Sequence, residues 1–578
     1  MSGTDNLPTG GQAMVEVLKA QGVRTVFCLA GAAHAPFLRD LEVARFHIIS
    51  SRSENATVAA ADGYARACGK VGIAMIAGHQ GMPNALGGIR TAQLACSPVV
   101  LLASVGEGNS EAMGEETNDG LDMVKPFVKW AKTVPDAERL EEFFNAAIHA
   151  ARSGRPGVAV LGIPTHLEGV RLKKPRSFSS AKTLAAAPEP ASEAIEEAVA
   201  LLKGAQQPLI LCGSGAALSG AGPALQALSK DLGAPVFGHA LGRGLVPEDM
   251  IHGFPWALAQ VAAKNADVVL VAGIRLQQRI GFGMAPRFKP DAKFIQVDIE
   301  AVEPGRNRTI DVPIQADARK TVERLHAGLK AAGAATASTA WVNDAIAARL
   351  ARLDELGQDE AGPIHPVRIG RELMKIMPAE SIFVADGADV YNWMSGVVRM
   401  RSPRGYMDHY PLGSMGIGTP LALGAAAAER ETSEDTGVPA RPVVLVTGDG
   451  AFGFYPSEFN SMQLAGLKVI CIISNDGNWG TERNALKTKL GTTVNTVIGQ
   501  CDYHLIGPAF GVLGERVAAA ADLPAALERA FAAETSTIIN VITDPDAGEA
   551  RKQDPRLMMV TFEDLKSSLD AHHVMDLA

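Results

Sequence analysis

Between Val443 and Gly480 the chain reads VVLVTGDGAFGFYPSEFNSMQLAGLKVICIISNDGNWG. Two apolar runs, Val443 to Val446 and Lys468 to Ile473, each end in small polar residues: Gly448-Asp449-Gly450 and Asn475-Asp476-Gly477-Asn478. Short apolar runs bounded by turn residues predict buried parallel strands, and Ser457–Ala465 predicts the helix that crosses between them. Open α/β sheets bind ligands outside the carboxyl ends of their strands, so both clusters fall on the ligand edge. Asp449 and Asp476, 27 positions apart, put two carboxylates there, and a hard divalent cation takes oxygen ligands. The glycines let backbone N–H groups approach an anion closely. Either tripeptide alone is ordinary turn chemistry. The two together, each after an apolar run, predict a diphosphate held through a cation.

The rest of the chain repeats this alternation of strand and helix patterns. With 578 residues there is length for three or four domains, and the composition (47% hydrophobic, 20% charged) is that of a globular protein. Three stretches rich in α/β pattern, 1–170, 193–335 and 364–547, are separated by a basic, then Ala/Pro-rich linker at 171–192 and a connector at 336–363. In the first, strands are expected at Thr25–Leu29, Phe46–Ile49, Gly72–Ile76, Val99–Ala103 and Gly157–Leu161. In the second they are expected at Pro208–Cys212, Val268–Ala272 and Phe294–Val297. The third has Ser381–Val384, Val443–Val446, Val469–Ile473 and Thr537–Ile542. The fold class expected is three doubly wound α/β domains with mainly parallel sheets. The tail, 548–578, has an amphipathic stretch near Val560–Leu569 and reads as a segment that packs on the body or forms a lid.

Several function classes are disfavoured. A formal net charge of −9 argues against nucleic acid as a main partner. No run of about 18 apolar residues predicts a membrane span, and MSGTDNLPTGGQ has neither the basic start nor the apolar core of a secretory signal. Six cysteines (28, 68, 96, 212, 471, 501) lack metal or disulfide spacing; most are expected as buried thiols, in keeping with a reducing cytoplasm. Gly213-Ser214-Gly215 follows a strand, but Leu218 breaks the G-x-G-x-x-G pattern of dinucleotide sites. Asp298 closes another strand, where it either serves the fold or touches a ribose.

The stretch from Gly448 to Asn478 resembles the diphosphate-binding motif of thiamine diphosphate enzymes, a Gly-Asp-Gly followed some distance on by an Asn pair. It departs at Asp476, where the family usually has Asn; both side chains offer an oxygen. The resemblance implies Mg²⁺ on Asp449, Asp476 and the backbone carbonyl of Asn478. Gly448, Gly450, Ala451, Gly387, Ala388, Trp479 and Gly480 would surround the cofactor. A second segment, Glu54-Asn55-Ala56 leading to Gly63-Tyr64-Ala65-Arg66, resembles the pyrimidine-binding domain of the acetolactate synthase-like members. There the glutamate, here Glu54, bonds the pyrimidine nitrogen and promotes deprotonation of the thiazolium carbon. Read without the family, Glu54 is a helix N-terminal acid favoured by the helix dipole. A third segment, Gly413-Ser414-Met415-Gly416, matches the turn whose bulky apolar residue wedges between the cofactor rings, with the Gly413 carbonyl accepting from the pyrimidine amine. A Met among glycines is otherwise a core residue.

Other candidates follow by position. Phe27 to His34 looks like the family's strand-to-glycine turn beside the reaction centre, which puts His34 in question as a proton carrier. Ala77-Gly78-His79-Gln80-Gly81-Met82-Pro83-Asn84 takes the place of a glycine-rich loop. There His79 and Gln80 would reach substrate, and a histidine titrates near neutrality. Asn118 falls where many relatives carry an active-site Gln. Asn-x-x-x-Trp-Gly, GEETN, KWA and GSMGIG also resemble benzaldehyde lyase, and Glu482 would stand on the first turn of the next helix, toward substrate or simply favoured by the dipole.

The resemblance spans about residues 15–547 and implies a homodimer or homotetramer with Glu54 and Asp449 of one site on different chains. The activity implied is a thiamine diphosphate- and Mg²⁺-dependent lyase or carboligase acting on 2-hydroxy ketones or 2-keto acids. A 2-hydroxyacyl-CoA lyase or oxalyl-CoA decarboxylase-like enzyme stays open, with Arg275, Arg279, Arg287 and the tail for the phosphates of a CoA thioester. An acetolactate synthase-type ligase stays open as well. A non-catalytic nucleotide-binding relative is disfavoured because Glu54 and Asp449 are both kept, and a Rossmann dehydrogenase because of Leu218.

Overall fold

The computed structural model describes residues 7–29, 31–106, 119–173, 187–358 and 362–549, with 554, 556 and 557. Three six-stranded sheets organise them, and every ladder is parallel. The first holds β1 (Thr25–Leu29), β2 (His47–Ser50), β3 (Gly72–Ile76), β4 (Val99–Val105), β5 (Trp130–Thr133) and β6 (Val158–Pro164). The second holds β7 (Pro208–Cys212), β8 (Val236–Gly238), β9 (Gly253–Pro255), β10 (Val268–Ala272), β11 (Lys293–Asp298) and β12 (Val312–Gln315). The third holds β13 (Ile382–Ala385), β14 (Tyr406–Asp408), β15 (Val443–Gly448), β16 (Ile470–Asn475), β17 (Leu513–Val517) and β18 (Thr537–Ile542). This is the doubly wound parallel α/β class expected from the apolar runs.

Every strand expected from the sequence is present, shifted by at most a few residues. The strands not anticipated, such as β5, β8, β9, β12, β14 and β17, are short and mostly at sheet margins. Edge strands carry charge and need no continuous apolar run: Leu513–Val517 contains Glu515 and Arg516. Two other expectations are corrected. Only Cys28, Cys212 and Cys471 are buried, whereas Cys68 and Cys96 are partly exposed and Cys501 is exposed. The segment beginning at Gly78 is helical rather than a loop: Gly78–Ala95 is one helix with Pro83 inside it. Gly78 N–H is taken by the Ser104 hydroxyl at 2.9 Å, and no side chain fits at Gly78, where a Cβ would collide with the Ser104 carbonyl. The amphipathic stretch near Val560–Leu569 lies outside the described residues.

Strand order fixes where ligands can bind. The first sheet runs β2-β1-β3-β4-β6-β5, and the third repeats it as β14-β13-β15-β16-β18-β17. The second, read from β9, runs β9-β8-β7-β10-β11-β12, the 3-2-1-4-5-6 order of dinucleotide folds. Order reverses between β1 and β3, between β7 and β10, and between β13 and β15. Crevices open at these switch points.

The first and third sheets meet through two helices, Glu54–Cys68 and Gly418–Thr436. Both are rich in Ala and Gly, and both bury most of their residues. Gly63 packs on the Leu421 carbonyl and Gly424 on the Ala60 carbonyl, each closer than any Cβ would allow. Tyr64 Oη (2.8 Å), Thr25 Oγ1 (2.7 Å) and Lys70 Nζ (2.7 Å) all donate to the buried Glu431 carboxylate, which locks the register of the pair. Gly424→Ala should force the helices apart and destabilise the protein by about 3 kcal/mol, the upper range for overpacking. A lowered thermal unfolding midpoint would report it, and an unchanged midpoint would contradict this close packing.

Candidate active site

At the β13/β15 switch point two glycines bring the backbone together. Gly387 has φ +78° and comes so close to Gly448 that a Cβ would stand 2.6 Å from the Gly448 nitrogen. The two turns thus approach backbone to backbone, with no room for a side chain between them. Asp449 opens the single helical turn that follows β15, and Asp476 follows β16. Gly477 N–H donates to Asp449 Oδ2 at 2.9 Å, and Asn478 N–H donates to Asp476 Oδ1 at 2.9 Å. One oxygen of each carboxylate is thereby tied to the loop. Burial raises both carboxyls above the usual carboxylate range, and Asp476 is raised further by Asp449 and Asp389. Such a pair is stabilised by a cation. Among the described residues no group of three or more His, Cys, Asp or Glu is clustered for a metal. A cation here would therefore rest on the two carboxylates and an amide or carbonyl oxygen, the donor chemistry of a hard ion. The cavity, about 100 Å³, is also lined by Gly387, Ala388, Met415 and Asn478. The Trp479 ring closes over Gly450, where a Cβ would meet it at 2.6 Å.

Met415 sits in a turn held by a residue whose part the sequence did not disclose. Asp386, fully buried at the end of β13, accepts Gly387 N–H on Oδ1 (2.7 Å) and Gly418 N–H on Oδ2 (2.8 Å). It thus ties the Gly387 turn to the Met415 turn, whose Gly413 and Gly416 have φ of +82° and +83°. Burial, opposed by these N–H groups, pushes its carboxyl up to about 7. The only hint in the sequence is an acid closing an apolar strand just before a glycine.

Met415, Ala388, Thr481 and Glu482 border a second, larger cavity of about 610 Å³ between the second and third sheets. Arg279 lines it, its guanidinium 3.2 Å from the Tyr410 ring centroid and its Nη1 donating to Tyr391 Oη at 3.3 Å. Stacking of this kind orients a desolvated cation. His239 also borders this space; burial, then the Arg279 and Arg243 charges, push its pKa down to about 3. Glu482 is exposed on the first turn of helix Gly480–Leu490. A third cavity, about 220 Å³, lies at the β7/β10 switch point beside Gly213–Gly215, Arg155, Arg275 and Asp298. There Arg155 bonds Asp298 at 3.1 Å.

The first sheet carries the remaining candidates. Glu54 begins the helix after β2, capped by Ser53 Oγ. Its Oε2 accepts from Asn84 Nδ2 at 3.2 Å, and Gly81 leaves room for it, since a Cβ there would meet Glu54 Cγ at 3.2 Å. His79 is partly buried and Gln80 exposed on the helix that starts at Gly78. His34 is fully buried, its Nδ1 2.5 Å from Glu168 Oε1 and its Nε2 3.2 Å from the Ile76 carbonyl. Both ring nitrogens are thus engaged inside the domain. Asn118 lies outside the described residues. Glu54, His79 and Gln80 are not among the residues lining the cavities at Asp449 and Met415; the Glu54 turn packs instead on Tyr455 and Glu458, with Arg52 N–H donating to Glu458 Oε1 at 2.9 Å and Asn55 Nδ2 to Tyr455 Oη at 2.5 Å.

Comparison with known proteins names this arrangement. Residues 8–122 match the N-terminal TPP binding domain of thiamine pyrophosphate enzymes, 195–325 their central domain and 386–541 their C-terminal TPP binding domain. A probable acetolactate synthase of Mycobacterium bovis is 30% identical over 561 residues, spanning 95% of this chain and 99% of the relative. The chain belongs to the thiamine pyrophosphate enzyme family. It is a thiamine pyrophosphate (thiamine diphosphate)-dependent enzyme. Within the family it is also similar to 2-hydroxyacyl-CoA lyase 2 of Caenorhabditis elegans, 28% identical over 92% of this chain and 89% of the relative. The fold of this thiamine pyrophosphate enzyme matches a crystal structure of benzoylformate decarboxylase from Polynucleobacter necessarius. The TM-score is 0.80 at 19% identity, over 93% of this chain and 99% of the other. Among its described residues no helix is long and apolar enough to cross a membrane.

Proposed function

We propose that this protein is a thiamine diphosphate- and Mg²⁺-dependent lyase or carboligase that breaks or forms the C–C bond beside the carbonyl of 2-keto acids or 2-hydroxy ketones. The observation that carries the reading is the position of Met415, which borders both the carboxylate-lined diphosphate cavity and the 610 Å³ cavity. When bound, the cofactor supplies a carbon nucleophile and an electron sink. Asp449, Asp476 and the Asn478 carbonyl would hold the cation, and the side-chain-free approach of Gly387 to Gly448 would leave room for the diphosphate. Met415 sets the cofactor rings, and Trp479 and Gly480 wall the mouth. Glu54 holds the proton of the pyrimidine nitrogen. Among the described residues Glu54 is not one of those lining the two cavities that Met415 borders; with Glu54 of a second copy completing the site, a homodimer would be the smallest working unit.

Arg279 presents a fixed positive charge to the larger cavity, which suits the carboxylate of a 2-keto acid. A hydrogen bond to a charged group contributes about 1.5–3 kcal/mol. Arg279→Gln should therefore raise KM for pyruvate or benzoylformate roughly tenfold to hundredfold while leaving an uncharged benzoin little affected. Equal losses on both substrates, read by steady-state kinetics, would remove Arg279 from this role.

A second reading, a 2-hydroxyacyl-CoA lyase, draws support from the 220 Å³ cavity at the switch point of the middle sheet. Glycines, Arg155, Arg275 and Asp298 there suit the nucleotide end of a CoA thioester. Of the three arginines considered for its phosphates, Arg275 borders this cavity, Arg279 borders the larger one, and Arg287 donates to Gln260 Oε1 at 2.5 Å in the buried interior. Turnover of benzoin, acetoin, pyruvate and a 2-hydroxyacyl-CoA, with products identified by mass spectrometry, separates the readings. Cleavage of the CoA substrate alone would replace the first with the second.

A further inference from the structure

The cavity around Asp449 and Asp476 has a one-sided charge. Four carboxylates line it, Asp389, Asp449, Asp476 and Glu482, with no Lys, Arg or His among the lining residues. Arg483 acts on Asp476 from nearby, and it is committed elsewhere. Its Nη1 donates to the Pro545 carbonyl at 2.7 Å and to Asp546 Oδ1 at 2.9 Å. Asp389 is likewise held in place, accepting from Trp393 Nε1 at 3.3 Å on Oδ2. Gly480 lies between the Asp476 and Asp389 side chains: a Cβ there would stand 2.7 Å from Asp476 Oδ2 and 3.1 Å from Asp389 Cβ. These acids therefore belong to one wall.

A diphosphate ester is itself polyanionic. Entering a partly buried cavity of like charge is repulsive at the effective dielectric of such a site, and among the described lining residues no basic side chain offsets the repulsion. The space left by the glycines suits a diphosphate, but it does not cancel two facing carboxylates. A divalent cation does. Its own attraction to the empty cavity needs no cofactor, because two carboxylate oxygens and the Asn478 loop are already arranged by Gly477 N–H and Asn478 N–H.

We infer that assembly of this site is ordered: a divalent cation binds first, in the absence of cofactor, on Asp449 and Asp476, and the diphosphate binds only to the cation-loaded protein. Asp476 is what makes the first step possible, since an amide at the same position would leave Asp449 as the one carboxylate on the two loops that Gly477 N–H and Asn478 N–H arrange. The inference rests on the thiamine diphosphate reading above and adds to it the order of binding and the group that sets it. Cation and cofactor then strengthen each other's binding reciprocally, as linkage requires.

The test uses the full-length protein stripped of metal and cofactor. Mn²⁺ alone is titrated by calorimetry and by the loss of its free-ion magnetic resonance signal. One site per chain is expected without cofactor, weakened at least tenfold in Asp476→Asn, whereas Mn²⁺ binding at saturating thiamine diphosphate is largely kept in that variant. On the unaltered protein, preincubation with Mg²⁺ should leave cofactor association a single fast phase in stopped-flow tryptophan fluorescence. Preincubation with cofactor alone should give no bound species. Absence of Mn²⁺ binding without cofactor, or equal binding by Asp476→Asn, would overturn the ordered assembly while leaving cation-dependent cofactor binding intact. Failure of the unaltered protein to bind thiamine diphosphate even at saturating Mg²⁺ would instead overturn the underlying reading. The stopped-flow arm decides the order even should Asp476→Asn fold poorly.

Discussion

Glu54→Gln should leave cofactor and cation bound yet remove nearly all proton exchange at the reactive carbon of the cofactor and nearly all turnover. The argument is local. Glu54 stands on the first turn of a helix whose N-cap is Ser53, with Asn84 Nδ2 fixing one oxygen at 3.2 Å and the missing side chain of Gly81 leaving space beside it. Glutamine fills the same volume and keeps the helix start, so folding and the distant diphosphate cavity are unaffected. It cannot exchange a proton with a pyrimidine nitrogen. A well-placed acid or base contributes about 10²–10⁴ in rate, and a loss of that size is expected. Deuterium exchange at the cofactor carbon, followed by NMR beside a cofactor titration, is the measurement. Exchange at the unaltered rate would refute the assignment.

Asp449→Ala should abolish cofactor binding rather than catalysis by bound cofactor. The Asp449 carboxylate is buried and accepts Gly477 N–H at 2.9 Å, so it both supplies charge for a cation and holds the Asp476 loop against its neighbour. Its loss leaves one of the two loop carboxylates for the cation and takes from Gly477 N–H its shorter acceptor, leaving Asn475 Oδ1 at 3.2 Å. Removing one partner of a buried charge pair costs about 3–5 kcal/mol, a weakening of more than a hundredfold. Equilibrium dialysis of thiamine diphosphate in the presence of Mg²⁺ should show it. Retention of cofactor at the original affinity would remove Asp449 from the site.

How much of this was legible beforehand differs from element to element. Thr25–Leu29, Gly72–Ile76, Pro208–Cys212, Val268–Ala272 and Thr537–Ile542 could be read to the residue, because a strand buried on both faces must be apolar throughout. Tyr406–Asp408 could not: a three-residue strand at the sheet margin, ending in a buried acid, has no such requirement. His34 stood beside a glycine turn in sequence and looked available to substrate. In the fold Glu168, 134 positions on, takes its Nδ1, and no local pattern announces a partner that distant. Asp386 was visible only as the end of a strand; its two N–H partners, Gly387 and Gly418, lie on separate turns.

By itself the sequence determined three parallel-sheet units and the family's cofactor. Periodic burial and glycine-acid turns are local properties, written where they act. Only the tertiary structure decided which sheet edges become crevices and that Met415 faces two cavities. It alone revealed that the cavity beside Asp449 is walled by acids. Those facts depend on strand order and on contacts between residues far apart in the chain, where burial and charge are summed over neighbours that no short stretch of sequence contains.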